Sequence, residues 1–348
     1  MTKIVNNTFD PNGVGVANGN YYGLHFTCED ADLVLIEAPW DVTVSYGDGT
    51  ANGPAAIREA STQLDLYDAD YHNAWQKGIA ALDPDEQMLT QSQQWRAESK
   101  KVIDALEEGC DIESLAPQLN EINKACEQMN ATIYNKAKQL IDNGKIVGLV
   151  GGDHSTPYGA MRAVAERHDH FGLLHFDAHR DLRIAYEGFE YSHASIMYNV
   201  LRDVPQIERL VQVGVRDFCD AEQELADSEE RIVSFTDRTL SRARYEGKTW
   251  AELCTQIVEQ LPAEVYISFD IDALEVQYCP TTGTPVVGGL TFNEAAYLIS
   301  RVVESGRRII GFDLVEVAPS KIGCIDEMVG ARMLYKLCCA TLSSQIDK

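Results

Sequence analysis

Three short segments concentrate residues able to hold charge: Gly151-Gly152-Asp153-His154-Ser155, Asp177-Ala178-His179-Arg180-Asp181 and Asp270-Ile271-Asp272. Each closes an apolar run of strand length: IVGLVGG, FGLLHFD and EVYISFDID. Carboxylates beside a core are costly unless something positive meets them. Arg180 and Arg183 are the cations nearby, and divalent metal ions answer the need more fully. Residues two apart on an extended chain share a face, so Asp177, His179 and Asp181 are expected to enter one site, and Asp270 and Asp272 to join them. With His154 they make a set of carboxylates and imidazoles too large for one zinc with an open position. It suits two ions bridged by carboxylates. Oxygen and imidazole ligands without thiolate favour Mn²⁺, with Co²⁺, Ni²⁺, Fe²⁺ or Zn²⁺ as alternatives. Two ions about 3.5 Å apart lower the pKa of water between them toward neutrality. One DxHxD segment alone can be a capped, solvated strand end; three motifs at strand ends point to a metal centre.

The elements around the motifs alternate. LVLIEA (33–38) reads as a strand, SYGDGTANGP (45–54) as a Gly-rich loop and 55–64 as the start of a helix. Residues 70–115 are polar and do not resolve into elements. Apolar residues at steps of three and four make 116–143 one long helix or two. Strands then follow at 146–152, 171–177, 208–216, 264–272 and 308–317, with helices after 155 and at 194–203, 248–260, 292–305 and 324–343. This order implies an α/β fold, a mostly parallel central sheet between two helical layers. Ligands bind such sheets outside the carboxyl ends of the strands, where the polar motifs fall.

At 348 residues and 45% hydrophobic content, the chain suffices for a single domain over 1–348. A helical insertion is expected around 88–145. No apolar run approaches the roughly 18 residues of a membrane span, and MTKIVNNTFDPNG offers no apolar signal core. A cytoplasmic location follows as the expectation. The net charge of −25 comes with no basic stripe, which argues against nucleic-acid or membrane partners. The nine cysteines form no paired motif and read as buried free thiols of a reducing compartment.

Together GGDHS, DAHRD, SFDID and GTPVVGGLTF resemble the arginase/agmatinase (ureohydrolase) family, over roughly residues 33–340. The resemblance implies an arginase-like three-layer α/β/α fold, two Mn²⁺ per subunit, release of urea from a small guanidino compound, and a homotrimer or homohexamer. It places His154 and Asp181 on one ion, His179 and Asp272 on the other, and Asp177 and Asp270 on both. It makes Glu316, in FDLVEVAP, the acid that receives the substrate guanidinium; a planar cationic fork is well held by a carboxylate. It makes His193, in YSHAS, the proton shuttle to the leaving amine. Asp153 would orient ligands. His175 has the strand parity of Asp177 and reads as a structural or ligand-orienting histidine, while His168 and His170 read as solvated.

The chain departs from the family pattern in places. Where the family continues its last metal motif as DxDxxDP, Glu275 and Val276 stand here. Arg183 occupies a position where arginases carry a neutral amide facing the substrate carboxylate, and Cys219 one where they carry an acid for the substrate ammonium. Arg183 would favour a carboxylated substrate and repel the ammonium of agmatine; turned into a salt bridge, it would do neither. The function expected is therefore hydrolysis of a guanidino or formimidoyl C–N bond. Agmatinase activity, agmatine to putrescine plus urea, is the first label. Formimidoylglutamate, a carboxylated guanidine such as guanidinobutyrate, and free guanidine are the alternatives. An idle metal-binding relative is the rival from another class, and zinc deacetylases match the carboxylate pattern poorly.

Overall fold

The computed structural model describes residues 9–345. Eight strands form one sheet: β1 (Leu33–Ala38), β2 (Ile79–Ala81), β3 (Ile146–Gly151), β4 (Phe171–Phe176), β5 (Ile207–Val213), β6 (Ile232–Phe235), β7 (Glu264–Asp270) and β8 (Arg308–Val315). Every pairing is parallel, and the spatial order is β2-β1-β3-β8-β7-β4-β5-β6. The sheet is thus wholly rather than mostly parallel. Between β3 and β4 the chain crosses to the far side of β8 and β7. The four strands that end in the sequence motifs are therefore neighbours at its centre.

The described residues also form ten α-helices: α1 (Gly53–Ser61), α2 (Glu86–Glu107), α3 (Ala116–Asp142), α4 (Tyr158–Ala165), α5 (Ile196–Asp203), α6 (Asp220–Ser228), α7 (Asp237–Tyr245), α8 (Trp250–Glu259), α9 (Phe292–Glu304) and α10 (Ile325–Ser343). Strand residues alternate between the two faces of the sheet. Leu33, Leu35, Phe176, Phe269, Phe312 and Leu314 pack with α1, α8, α9 and α10. Val34, Ile36, Val147, Leu149 and Val315 pack with α2, α3 and α4 on the other face. This is the three-layer arrangement, each buried aliphatic side chain contributing about 1.5–3 kcal/mol.

The expected helix at 116–143 is one continuous helix, entered through a proline in its first turn. The unplaced segment 70–115 holds β2 and α2, whose Asp85 cap accepts the N–H of Met88 at 2.8 Å. Helix α2 then runs back against α3 as a hairpin. Close approach of α3 and α4 depends on Gly159, where a Cβ would stand 2.2 Å from the Asn130 carbonyl oxygen. Strand β6, Ile232–Phe235, is apolar but only four residues long, too short to show a period, and helices α6 and α7 are short and mostly polar, so the sequence showed none of the three. No described helix is long and apolar enough to cross a membrane. Described cysteines are all free, but Cys110 and Cys324 are exposed and Cys28 and Cys219 half-buried rather than buried.

Candidate metal centre

The motif carboxylates do not converge by strand parity. Strand β4 ends at Phe176, and Asp181 turns into the left-handed region with φ 55°. Asp272 lies in a 3₁₀ turn, Ile271–Ala273, beyond β7. Each motif instead folds back on its first aspartate: Asp177 Oδ1 accepts the N–H of His179 at 2.5 Å, and Asp270 Oδ1 accepts the N–H of Asp272 at 2.8 Å. These Asx-type turns lift the side chains off the sheet and aim them at one another.

The result is two linked clusters. His154 Nδ1 lies 2.9 Å from Asp177 Oδ2, 3.2 Å from Asp181 Oδ2 and 3.2 Å from Asp270 Oδ2. His179 Nδ1 lies 3.3 Å from Asp177 Oδ1 and 3.1 Å from Asp272 Oδ2. Asp177 therefore gives one oxygen to each cluster. All these groups are buried except His179, which is partly exposed.

The opposite edge of the His154 ring fixes its tautomer. Ser268 Oγ donates to Asp313 Oδ1 at 2.9 Å, which leaves it to accept from His154 Nε2 at 2.9 Å. The proton then belongs on Nε2, and Nδ1 presents a lone pair toward three carboxylate oxygens. His154 Nδ1 and Asp272 Oδ2 are both buried with no hydrogen-bond partner. Only a cation, proton or metal, reconciles that arrangement. Burial lowers the proton affinity of His154, yet the carboxylates of Asp177, Asp181 and Asp270 raise it well above the usual imidazole range. Burial, then Asp177, pushes Asp181 up to about 7. Residues of this type, burial and convergence fit divalent ions.

His175, expected as a structural or ligand-orienting histidine, lies within the first His/Asp group and contacts Asp177. Gln212 Nε2 donates to its Nδ1 at 3.2 Å, so its Nε2–H donates to Asp177 Oδ2 at 2.8 Å. Asp153 does not touch the clusters. Its Oδ1 accepts from the N–H and hydroxyl of Ser155 at 3.0 and 2.5 Å, and Thr43 Oγ1 donates to its Oδ2 at 3.4 Å. Ser268, Asp313, Gln212 and Thr43 were not singled out in the sequence. For the first three, the available signal was a polar residue inside an apolar strand run.

Glu316 stands just past β8 with φ 63°. Its Oε1 accepts the N–H of His154 at 2.9 Å, while Oε2 is buried without a partner. Burial and the nearby Asp153 raise its proton affinity well above the usual carboxylate range. A Cβ on Gly283 would stand 3.1 Å from Oε2. Gly283 has no positive φ; it serves close approach, unlike Gly288 and Gly289 with φ 96° and 102°.

A pocket of about 580 Å³ opens beside the clusters, lined by His179, Asp181, Arg183, Tyr186 and His193 among others. Glu316 is not in that lining. His193 is 9% exposed, and burial, then the charge of His179, lowers its pKa to about 3. Arg183 lies over the Tyr186 ring at 4.5 Å, with Nε 3.7 Å from Glu222 Oε2. Cys219 also lines the pocket. Arg180 turns away to Gln212, Ser234 and Gln223, so it does not balance the carboxylates. His168, expected to be solvated, pairs with Glu264 at 2.6 Å.

A parallel sheet with a buried His/Asp group at adjacent central strand ends defines an α/β protein with a group able to hold metal ions beside a pocket. The description "Arginase family" matches residues 31–339, and the chain belongs to that family, hydrolases acting on amidino C–N bonds. It is 30% identical to the N(1)-aminopropylagmatine ureohydrolase of Thermococcus kodakarensis, over 88% of this chain and 90% of that one. It is also 30% identical to the agmatinase of Cronobacter sakazakii, over 84% and 81%. Its fold is similar to the proclavaminate amidino hydrolase of Streptomyces clavuligerus, with a TM-score of 0.72, 22% identity, and coverage of 96% and 100%.

Proposed function

We propose that this chain hydrolyses a guanidino or formimidoyl C–N bond with two Mn²⁺ per subunit, Ni²⁺ or Co²⁺ being the alternatives, and that agmatine is the first substrate to test. The observation that carries the reading is the free, buried Oε2 of Glu316 beside the space left by Gly283. An unpartnered carboxylate oxygen so placed calls for a cationic N–H donor. The relatives named for agmatine and aminopropylagmatine support the choice of first substrate.

His154, Asp177, Asp181 and Asp270 would hold one ion, and His179, Asp177, Asp270 and Asp272 the other. Ions there supply Lewis acidity and water activation. The rest falls to the chain. Glu316 receives the substrate N–H groups and orients the central carbon. His193 passes a proton to the departing amine; its low proton affinity makes it a ready donor once charged. His175 holds Asp177 in position. The reading places the enzyme in the cytoplasm as a homotrimer or homohexamer.

Arg183 favours a second reading, a carboxylated amidine such as guanidinobutyrate or formimidoylglutamate. Its guanidinium lies over the Tyr186 ring at the pocket wall, 4.5 Å from the ring centroid, and is ion-paired with Glu222 at 3.7 Å, a separation longer than a hydrogen bond. Donors so displayed match a substrate carboxylate. The test is a panel of agmatine, L-arginine, guanidinobutyrate, formimidoylglutamate and guanidine on Mn²⁺- and Ni²⁺-loaded protein, scored for urea, ammonia and formamide. Turnover of agmatine supports the first reading, and turnover of an acid the second. Two bound metals with no turnover on any compound would sink both and favour an idle relative.

A further inference from the structure

Two of the loops that line the pocket are residues 39–49 and 183–193, and neither is held by the sheet alone. Both are gripped from outside by the α2–α3 hairpin. Ser92 Oγ accepts the N–H of Asp41 at 3.1 Å and donates to its Oδ1 at 3.2 Å. Ser99 Oγ donates to the carbonyl of Val42. Arg96 Nη1 donates to the carbonyl of Val44 at 2.6 Å and approaches that of Val42 at 3.4 Å. These carbonyls flank Thr43, whose Oγ1 accepts the backbone N–H of His193 at 3.2 Å.

Helix α3 grips the second loop. Asn123 Nδ2 donates to the carbonyl of Gly188 at 3.1 Å, and its Oδ1 accepts the N–H of Glu190 at 2.9 Å. Leu119 closes on Gly188, where a Cβ would stand 2.7 Å from its Cδ1. Arg96 also serves this loop electrostatically. Burial and Glu107 raise the proton affinity of Glu187, while Arg96 and Arg183 lower it. No residue of α2 or α3 lines the pocket.

We propose that the α2–α3 hairpin sets the position of His193 and of the pocket wall, with Arg96 and Asn123 as its positioning residues. Arg96 and Asn123 hold backbone carbonyls and N–H groups, so the grip fixes the course of each loop directly. A small displacement of a reacting group costs much of the rate. The proposal rests on the role given to His193 above, and two independent readouts separate them.

The first readout is amide hydrogen exchange on the full-length, metal-loaded protein. Arg96→Ala should speed exchange in 39–49, and Asn123→Ala in 188–193, while Lys124→Ala, an exposed change on the same hairpin, should alter neither. Wild-type exchange in both variants would overturn the proposal without reference to any substrate. The second is kinetics on the best substrate of the panel. Each variant should retain two metals and lose about tenfold or more in kcat/KM, and Arg96→Ala should add little to His193→Ala. Loss equal to the product of the single losses would overturn the link to His193. A fully active His193→Ala would remove the shuttle role, leaving the hairpin to stand or fall by exchange and by the Arg96→Ala rate. If Arg96→Ala does not fold, Asn123→Ala decides alone.

Discussion

Glu316 accepts the backbone N–H of His154 at 2.9 Å. The acid beyond β8 is thereby tied to the metal motif beyond β3, its neighbour in the sheet. One oxygen is structural and the other is free. Glu316→Gln keeps an acceptor for His154 and removes the negative charge. The expected result is a fall in kcat/KM of roughly 10²–10³-fold, the scale of losing one electrostatic partner of the reacting group. Metal content should not change. Steady-state kinetics with metal analysis checks this, and a fully active variant would end the assignment.

Gly283 leaves the space beside the free oxygen of Glu316. Its backbone lies outside the positive-φ set, so its φ accepts alanine, and the new Cβ would crowd Glu316 Oε2 at 3.1 Å and the Gly47 carbonyl at 3.2 Å. Gly283→Ala should therefore fold, bind metal and raise KM by about tenfold, because the added methyl takes the place of a substrate N–H group. An unchanged KM would mean that substrate does not reach Glu316 from this side.

Asp177 gives an oxygen to each histidine cluster. Asp177→Asn removes the shared charge and should lower bound metal from two ions per chain, with loss of turnover. Elemental analysis after dialysis reads the first effect and product assay the second. Intact turnover in the metal-replete variant would refute the two-ion mechanism.

Metal affinity should fall as pH falls. Burial and Asp177 hold a proton on Asp181 up to about pH 7, and His154 and His179 keep theirs well above the usual imidazole range against the pull of burial, because carboxylates face them. Binding an ion releases these protons. Below pH 7 each released proton weakens apparent affinity by roughly tenfold per pH unit. Chelator competition at pH 6 and pH 8 measures this; equal affinities would show that Asp181 is not a ligand.

Much of this protein was legible in its residues. The apolar runs before GGDHS, DAHRD and DID marked buried strands, because only a covered parallel sheet keeps such runs from water. The carboxylates that end them marked a cation site, because their burial is untenable without one. Alternation of strand and helix implied the layers. Short elements stayed hidden: the four residues of β6 are too few to establish a period, and α6 is mostly polar.

Tertiary structure decided what no local pattern encodes. Crossing from β3 to β4 over two later strands brought His154, Glu316, Asp270 and Asp177 to adjacent strand ends, although well over a hundred residues separate the first and second in the chain. Convergence came from turns capped by Asp177 and Asp270 rather than from strand parity, a choice made by side-chain-to-backbone hydrogen bonds that become available only once the strand ends. The direction of Arg180 and the grip of Arg96 on Val44 were likewise settled by packing, because a long cationic side chain goes wherever the folded chain offers it acceptors.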